Sequence, residues 1–272
     1  MSKGYLLFAL NTDSVDYVKL AHACALSIKN TQPAEFNSVA LVTDQAVINP
    51  IFDHVIKYAG PSGMDARSRA YDYTPYDETV LLDSDMLFLK PMDHYWDIVK
   101  DLDLFIASSP QNYKGTTFTH GYYRKLFADN KWPNLYSAWT YFHKDSMLAK
   151  EFFDLVKTIT DNPKEFIQTL LPNSGLRTIP TDEAFALAIT ILGIENQAIF
   201  PNWDFPRITH MKPAVQNWAE HVIDWNEKIR FNVDLYGKVK LGVWQQSELL
   251  HYVKKELITD EVVDTLEKVT RE

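Results

Sequence analysis

The sequence predicts an α/β fold in which a mainly parallel sheet is covered by helices. Its first third has the order strand, helix, strand, which is typical of parallel strands joined by a helical crossover. A further buried strand, Thr79–Leu82, leads directly into the acidic sequence Asp83-Ser84-Asp85. The composition is that of a well-cored globular protein, since 46% of the 272 residues are hydrophobic and 13% are aromatic.

The N-terminal elements follow from the spacing of apolar residues. Tyr5–Leu10 is predicted to be a strand. Apolar residues then recur with a helical period over residues 15–28, and Pro33 stops that helix. Ser38–Val42 and His54–Lys57 are predicted to be the next two strands. Polar residues follow the first two strands: Asn11, Thr12, Asp13, Thr43 and Asp44. We expect them at the carboxyl edge of the sheet, where ligands collect in such folds.

Periodicity and chain-breaking residues predict the elements of the remaining chain. The predicted helices are 64–73, 145–160, a short one ending near 171, 181–192, 249–257 and 260–269. The predicted strands are 101–107, 135–142, 198–200 and 207–209. The segment 108–133 is polar and aromatic without clear periodicity, so we expect a binding loop or a helical insertion there.

Asp83 and Asp85 are the strongest functional feature of the sequence. Two carboxylates at the end of a buried strand are costly unless something compensates them. Residues i and i+2 of a strand point to the same face, so both carboxylates can converge on one point while Ser84 points away. A hard divalent cation with open positions for phosphate oxygens fits such a pair. The alternative, that both residues cap turns or face solvent, is less consistent with an apolar run on each side.

Bulk properties disfavour some classes of function. The formal net charge of −9 argues against sequence-independent binding to a nucleic-acid backbone. No stretch of the sequence is long and apolar enough to cross a bilayer, and the first apolar run resembles a strand rather than a signal peptide. The single cysteine, Cys24, permits no internal disulfide, so we expect a soluble, cytoplasmic protein.

Glycine-rich phosphate-binding loops of the common types do not occur in the sequence. There is no G-x-G-x-x-G after the first strand and no G-x-x-x-x-G-K anywhere. A bound nucleotide would therefore need another counter-charge for its phosphates. A metal on Asp83 and Asp85 would supply it.

The stretch Pro75–Met86 resembles the metal-binding segment of the GT-A nucleotide-sugar glycosyltransferases, and most of all that of family 8, typified by glycogenin and lipopolysaccharide galactosyltransferases. Further segments resemble the family in the same order: the first strand with Asn11, Asp13 and Tyr17, then Leu135–Phe142, Asp182-Glu183, and His210-Met211-Lys212-Pro213. The resemblance covers roughly residues 4–213. It implies a GT-A, Rossmann-like catalytic domain over residues 1–215, with a helical C-terminal extension, 216–272, packed on the same domain.

This resemblance implies a metal-dependent hexosyl transfer from a nucleotide sugar, with UDP as the expected nucleotide. It implies Mn²⁺ or Mg²⁺ on Asp83, Asp85 and His210, and imidazole suits Mn²⁺ better. The implied donor-binding residues are Asn11, Asp13, Tyr17, Arg69, Asp83, Ser84 and Lys212, with Arg69 favoured over Arg67. Asp182 and Glu183 are the implied catalytic residues, because paired carboxylates serve in glycoside chemistry, and retention is the expected outcome.

The sequence departs from the family pattern at three places. Tyr136-Ser137-Ala138 replaces N-S-G, Glu183 replaces a glutamine, and Lys212 follows His210 almost at once. The acceptor stays open among a glycan, a lipid-linked sugar, a protein and a modified nucleic-acid base. Two other functions also stay open. One is a non-catalytic protein that binds nucleotide sugars or carbohydrates, and the other is a metal-dependent nucleotidyltransferase or phosphohydrolase.

Overall fold

A computed structural model describes residues 1–61, 64–108, 110–113, 115, 117, 124–200, 205–211 and 230–271. Its strands are β1 Lys3–Ala9, β2 Val39–Thr43, β3 His54–Lys57, β4 Glu78–Leu82, β5 Met86–Phe88, β6 Leu104–Ser108, β7 Leu135–His143, β8 Ile208–His210, β9 Phe231–Val233, β10 Val239–Leu241, β11 Trp244–Gln245 and β12 Leu249–His251. Its α-helices are α1 Tyr17–Thr31, α2 Ala70–Tyr73, α3 His94–Val99, α4 Lys125–Asn130, α5 Met147–Asp161, α6 Pro163–Leu170, α7 Thr181–Leu192, α8 Glu195–Ala198 and α9 Asp260–Arg271. Short 3₁₀ helices cover Ala34–Phe36, Met64–Arg69 and Lys255–Leu257.

The central sheet has the strand order β3-β2-β1-β4-β7-β6. Strand β1 pairs in parallel with β2 and β4, and β2 pairs in parallel with β3. Strand β7 runs antiparallel to both of its neighbours, β4 and β6. Leu7 lies opposite Leu82, so the end of β4 and the loop between β1 and α1 meet at one edge of the sheet. The mainly parallel, helix-covered sheet confirms the predicted α/β class.

Both faces of the central sheet are buried. Along β1, Leu6 and Phe8 belong to the core that contains residues of α5 and α7. Their neighbours Tyr5 and Leu7 belong to the core that contains residues of α1 and α3. Strands covered on both faces have continuous apolar runs rather than alternating ones, which is why the sequence revealed them clearly.

Strand β12 is the middle strand of a second sheet, β5-β12-β8. It runs antiparallel to β5 and parallel to β8. This pairing sets His251 opposite Met86 on one side and opposite His210 on the other. A segment near the C-terminus therefore lies directly beside the strand that follows Asp85.

The prediction of a helix over residues 249–257 is wrong. Leu249 and Leu250 are both fully buried, but in two different hydrophobic cores, as consecutive residues of a strand covered on both faces would be. Val253 then has a φ of 57°, in the left-handed region, where an α-helix cannot continue. Only the 3₁₀ turn Lys255–Leu257 is helical there.

The remaining differences from the predicted elements are small. Residues 198–200 do not form a strand, because α8 covers Glu195–Ala198 and the backbone N–H of Ile199 donates to the carbonyl oxygen of Glu195. The C-terminal helix is confirmed as α9, which packs on α1. Much of 108–133 lies outside the described residues, although α4 is part of it. Among the helices of the described residues, none has the length and apolar character needed to span a membrane.

The domain division at residue 215 stays a prediction. Residues 212–229 lie outside the described part of the chain. After them come strands β9–β12 as well as α9, so the described part of the extension is not entirely helical. The strands arise because Val239, Leu241, Leu249 and Leu250 are all buried in short runs that pair with other strands.

Candidate metal centre

Two short strands hold the acidic sequence at the carboxyl edge of the central sheet. Asp83 directly follows β4, and its backbone N–H still donates to the carbonyl oxygen of Ala138 on β7 at 3.3 Å. Asp85 directly precedes β5, and its carbonyl oxygen accepts from the backbone N–H of Tyr252 at 3.2 Å. Asp85 is only 4% exposed. The two carboxylates are thus fixed from both sides by strand pairing.

Asp83, Asp85 and His251 form a group that could hold a metal ion. One ligand atom from each lies within 4.8 Å of the others. The Nε2 atom of His251 is 2.9 Å from Oδ2 of Asp85 and 3.8 Å from Oδ2 of Asp83. The ligand atoms of the two aspartates therefore lie close together, and the turn between β4 and β5, rather than alternation along a strand, brings them there. Two carboxylates and one imidazole are a donor set that can hold a divalent cation.

His210, which the resemblance assigns as a metal ligand, is not a member of this group. It is buried on β8, with its ring centroid 5.0 Å from that of His251. The reason is the strand order: β12 lies between β5 and β8, so its own histidine is the one that reaches Asp85. The structure therefore favours His251 over His210 as the third ligand, and the choice between the two histidines stays a prediction.

Tyr136 contacts the ring nitrogen of His251 that does not face the carboxylates. The phenol oxygen of Tyr136 is in hydrogen-bond contact with Nδ1 of His251. Because Nε2 faces the carboxylates, the tautomer that can bind a metal carries its proton on Nδ1 and donates it to Tyr136. Tyr136 is 2% exposed, so this hydrogen bond is shielded from water. The residue that replaces the first position of the family's N-S-G segment thus supports the candidate ligand.

Each aspartate also has a cationic partner. The Nη1 atom of Arg67 lies 2.5 Å from Oδ1 of Asp83, and the ammonium of Lys255 contacts Oδ2 of Asp85. Burial alone would raise the pKa of Asp85, but the charges and hydrogen bonds of His251 and Lys255 lower that pKa far below its usual range. Asp85 is therefore ionised at neutral pH, as a metal ligand must be.

The candidate centre is compatible with a polar ligand. The Nε atom of Arg67 is buried and has no hydrogen-bond acceptor among the residues that the structure describes. A buried donor without an acceptor is costly unless a ligand or water satisfies it. Together with the oxygen and nitrogen donors of the three-residue group, this atom fits a cation that arrives with an anionic ligand.

A chain of contacts joins Asp83 to Asp182. Arg67 bridges the two segments, because its Nη2 atom donates to the carbonyl oxygen of Ser137. The backbone N–H and the hydroxyl of Ser137 both donate to Oδ1 of Asp182, at 2.9 Å and 2.6 Å. The Nη1 atom of Arg124 lies 3.2 Å from Oδ2 of Asp182. The start of α7 is therefore connected to the metal centre.

The other predicted residues on this side differ in placement. Glu183 lies half-buried in the first turn of α7, next to Asp182. Arg69, which the sequence favours for donor binding, points elsewhere: its Nη2 atom lies 2.6 Å from Oδ1 of Asp161, the last residue of α5. The structure instead places Arg67 on Asp83. Two positions along a 3₁₀ helix turn the side chain to a different side, so only one of the two arginines faces the centre.

The predicted nucleotide-side residues lie in the loop between β1 and α1. The side-chain oxygen of Asn11 accepts from the backbone N–H of Val18 at 3.1 Å, which helps to begin α1. Asp13 is exposed in the same loop. The ring centroid of Tyr17 is 5.8 Å from the ammonium of Lys255. Tyr17 therefore reaches the vicinity of the centre, whereas Asn11 has a structural role in these contacts.

Of the two remaining predicted residues, Ser84 is buried between the aspartates, and Lys212 lies outside the described residues. The lysine that the structure brings to the centre is Lys255, which sequence reasoning missed together with His251. A usable signal existed. Leu249-Leu250 is an apolar pair followed by His251 and then Lys254-Lys255, which repeats the order of strand, histidine and lysine seen at residues 208–212.

Comparisons with known proteins support the fold. No family model matches the chain, and no curated protein matches it in sequence. The structure is similar to the glycosyltransferase GlyE of Streptococcus pneumoniae TIGR4, with a TM-score of 0.50 and 11% identity, over 100% of this chain and 61% of that chain. It is also similar to mouse xyloside xylosyltransferase 1 in its apo form, with a TM-score of 0.51 and 11% identity, over 82% of this chain and 91% of that chain.

The chain thus spans 61% of the length of GlyE. At such low identity, the likeness to both proteins concerns the fold alone. It confirms that the chain has the GT-A-like fold of glycosyltransferases, with a mixed, mainly parallel sheet flanked by helices.

Proposed function

We propose that the protein is a metal-dependent glycosyltransferase that transfers a hexose from a nucleotide sugar to an acceptor. The observation that carries the proposal is the group Asp83, Asp85 and His251 at the carboxyl edge of a sheet with a glycosyltransferase fold. UDP is the proposed nucleotide, and Mn²⁺ is preferred over Mg²⁺ because one of the ligands is an imidazole. Membership of family 8 is part of the proposal and rests on the stretch Pro75–Met86.

Asp83, Asp85 and His251 would hold the cation. When bound, it would offset the negative charge that develops on the diphosphate leaving group. Tyr136 keeps the Nε2 atom of His251 directed at Asp85. The guanidinium of Arg67, with one buried N–H available, is placed to donate to a donor phosphate or sugar oxygen.

On the donor-sugar side, the two acidic residues at the start of α7 take different roles in the proposal. Asp182 already accepts two hydrogen bonds from Ser137 and faces Arg124, so both of its carboxylate oxygens are engaged and it is poorly placed to act as a nucleophile. We assign Asp182 to positioning Ser137 and, through it, Arg67. Glu183 is the better candidate to act as nucleophile or to stabilise an oxocarbenium-like transition state, and retention is the proposed outcome.

The proposed acceptor is a carbohydrate. Both similar proteins are glycosyltransferases, and the mouse protein is named for transfer to a xyloside. The net charge of −9 makes a nucleic-acid acceptor unfavourable. A cytoplasmic location is also part of the proposal, because Cys24 is a buried free thiol that suits a reducing compartment.

Calorimetric titration of UDP into the protein tests the proposal. We expect micromolar binding in Mn²⁺, and none in EDTA or in Asp85→Ala. Asp97→Ala is a matched control, since Asp97 is exposed on α3, and the ion pair that it forms among the described residues is with Lys100, directly after that helix. Failure of UDP and of a panel of other nucleotides to bind in Mn²⁺ would contradict the proposal.

The products then distinguish the enzyme classes. Incubation with UDP-sugars and Mn²⁺ should release UDP slowly in the absence of an acceptor. Release of pyrophosphate or phosphate would instead indicate a nucleotidyltransferase or a phosphohydrolase. Tight binding without any turnover would indicate a non-catalytic binding protein.

A further inference from the structure

Lys255 lies where a cation bound to Asp85 would have to approach. Its ammonium contacts Oδ2 of Asp85, and the same oxygen lies 2.9 Å from Nε2 of His251. The oxygen that points toward the histidine therefore already has a positively charged partner. A divalent cation that binds both Asp85 and His251 would lie within a few ångströms of this ammonium and would repel it.

The charges of the centre balance without a metal. The two carboxylates of Asp83 and Asp85 are offset by the guanidinium of Arg67 and the ammonium of Lys255. The formal charges of these four side chains sum to zero. A divalent cation alone would leave two positive charges in excess beside a carboxyl group that is 4% exposed, where water screens charges poorly.

The backbone of Lys255 is well anchored, but its side chain is not enclosed. Lys255 begins a 3₁₀ turn between β12 and α9. Helix α9 is attached to α1, where the side-chain amide of Asn30 donates to the carbonyl oxygen of Leu266 at 2.9 Å. The Lys255 side chain itself is 23% exposed and passes Tyr17 on its way to Asp85. The ammonium can therefore leave Asp85 by side-chain rotation, without disturbing the strand that carries His251.

We propose that Lys255 is a tethered counter-ion that competes with the divalent cation for Asp85. In the absence of the cation, the ammonium neutralises the carboxylate. It is displaced when the cation enters, and this displacement is most favourable when a diphosphate arrives at the same time and restores the negative charge. The cation and the nucleotide diphosphate then bind synergistically, because each improves the affinity for the other by the same factor. This inference rests on the proposed function.

Binding of Mn²⁺ alone, without nucleotide, is the decisive measurement. Titrations followed by the electron paramagnetic resonance of free Mn²⁺ would compare the wild type with Lys255→Met, Lys255→Arg and Lys254→Met. We expect Lys255→Met to bind Mn²⁺ at least about tenfold more tightly than the wild type, because the competing ammonium is gone. Lys255→Arg keeps the charge, and Lys254→Met removes a neighbouring charge that forms no ion pair among the described residues. Both should behave like the wild type.

Repeating the titrations with saturating UDP, and with uridine as a control without phosphates, measures the synergy. UDP should tighten Mn²⁺ binding in the wild type much more than in Lys255→Met, and uridine should not tighten it in either. Thermal unfolding of each variant would show that the protein is folded.

The outcomes separate this inference from the proposed function. If folded Lys255→Met binds Mn²⁺ no more tightly than the wild type, while UDP still binds in Mn²⁺, the competition is wrong and the proposed function stands. If neither Mn²⁺ nor UDP binds to the wild type or to any variant, both are wrong. Tight Mn²⁺ binding by Lys255→Met without any UDP binding would support the competition and contradict the nucleotide-sugar proposal.

Discussion

The Nε2 atom of His251 lies 2.9 Å from Oδ2 of Asp85, although 166 positions separate the two residues in the chain. Pairing of β12 with β5 makes this contact, since it sets His251 opposite Met86, the residue after Asp85. A strand near the C-terminus thus completes a centre that the acidic sequence begins.

The first prediction concerns which histidine is the ligand. His251→Ala should weaken Mn²⁺ binding by on the order of 100-fold, because it removes the nitrogen that faces both aspartates. His210→Ala should lower stability, since the residue is 1% exposed, but should leave Mn²⁺ affinity nearly unchanged. Calorimetric Mn²⁺ titrations and thermal unfolding of both variants check this. The opposite order of Mn²⁺ affinities would show that His210 is the ligand.

The second prediction concerns the partner of that ligand. Tyr136→Phe should weaken Mn²⁺ binding by about 10- to 100-fold, because the Nδ1 proton of His251 loses its acceptor and the metal-binding tautomer loses its support. Tyr141→Phe is the matched control. Tyr141 lies on β7, as Tyr136 does, and its hydroxyl donates to Glu78 at 3.1 Å. Removing this hydroxyl should lower stability but leave Mn²⁺ affinity unchanged. Equal Mn²⁺ affinities for the two variants would refute the role of Tyr136.

The third prediction separates two arginines. Arg67→Met should weaken binding of UDP-sugar in Mn²⁺, because it removes the donor beside Asp83 and breaks the connection to Ser137 and Asp182. Arg69→Met should leave UDP-sugar binding intact but lower the unfolding free energy by about 1–2 kcal/mol, because it removes a largely buried partner of Asp161. Titration of UDP-sugar in Mn²⁺ into each variant shows which arginine is required for binding. Loss of donor binding in Arg69→Met alone would restore the sequence-based assignment.

The fourth prediction concerns packing at the start of β1. A methyl group on Gly4 would lie 2.3 Å from Cζ of Tyr76, far inside van der Waals contact. The Tyr76 ring is 4% exposed and its hydroxyl is 3.0 Å from that of Ser38, so it cannot move aside cheaply. Gly4→Ala should therefore destabilise the protein by about 1–3 kcal/mol in urea unfolding. The loss should shrink in a Tyr76→Leu background, and an unchanged midpoint in the single variant would contradict this account.

The fifth prediction concerns pH. His22 on α1 faces α9, with its Nε2 atom 3.7 Å from Oε1 of Glu267. Burial lowers the pKa of His22 below its ordinary value of 6.5, and the charge of Glu267 opposes this only in part. The folded state therefore binds this proton less readily than the unfolded chain does. The stability that neutral His22 contributes to the folded state is fully present above pH 6.5 and is lost as the pH drops through the lowered pKa.

His22→Gln should remove this part of the acid destabilisation. The check is urea unfolding of the wild type and the variant at about pH 7 and about pH 5, on either side of the titration. The variant should lose less stability than the wild type over that interval. An identical loss in both proteins would show that His22 does not contribute.

The elements that a local sequence pattern indicates could be predicted from the sequence. Strands β1, β2 and β4 of the central sheet are buried on both faces, and their apolar runs are evident in the sequence, as in Thr79–Leu82. The sequence also predicted that Asp83 and Asp85 approach each other, although the turn between β4 and β5, rather than strand alternation, brings them together. The third member of the group could not be predicted this way. Strand β12 has only three residues and exists because β5 and β8 flank it, so its order of apolar pair, histidine and lysine gains its meaning only from that pairing.

The two arginines could not be distinguished from the sequence for a related reason. Arg67 and Arg69 are two positions apart on a short 3₁₀ helix, and the sequence gives no information on the side from which α5 packs. Asp161 at the end of α5 determines the direction of Arg69. Only a contact between segments distant in the chain distinguishes the two residues.

The middle position of β12 in its sheet has a consequence for biosynthesis. While the chain is being translated, β1 to β7 can pair and bury their apolar faces as soon as they leave the ribosome. At that stage Asp83 and Asp85 are already at the sheet edge, but β8 and β12 have not yet been synthesised, so neither His251 nor Lys255 is present. The contact between Asp85 and His251 spans 166 positions of the chain, and closing so long a loop is slow compared with local folding. The candidate centre therefore forms only once the segment that carries β12 has been synthesised and has paired with β5 and β8.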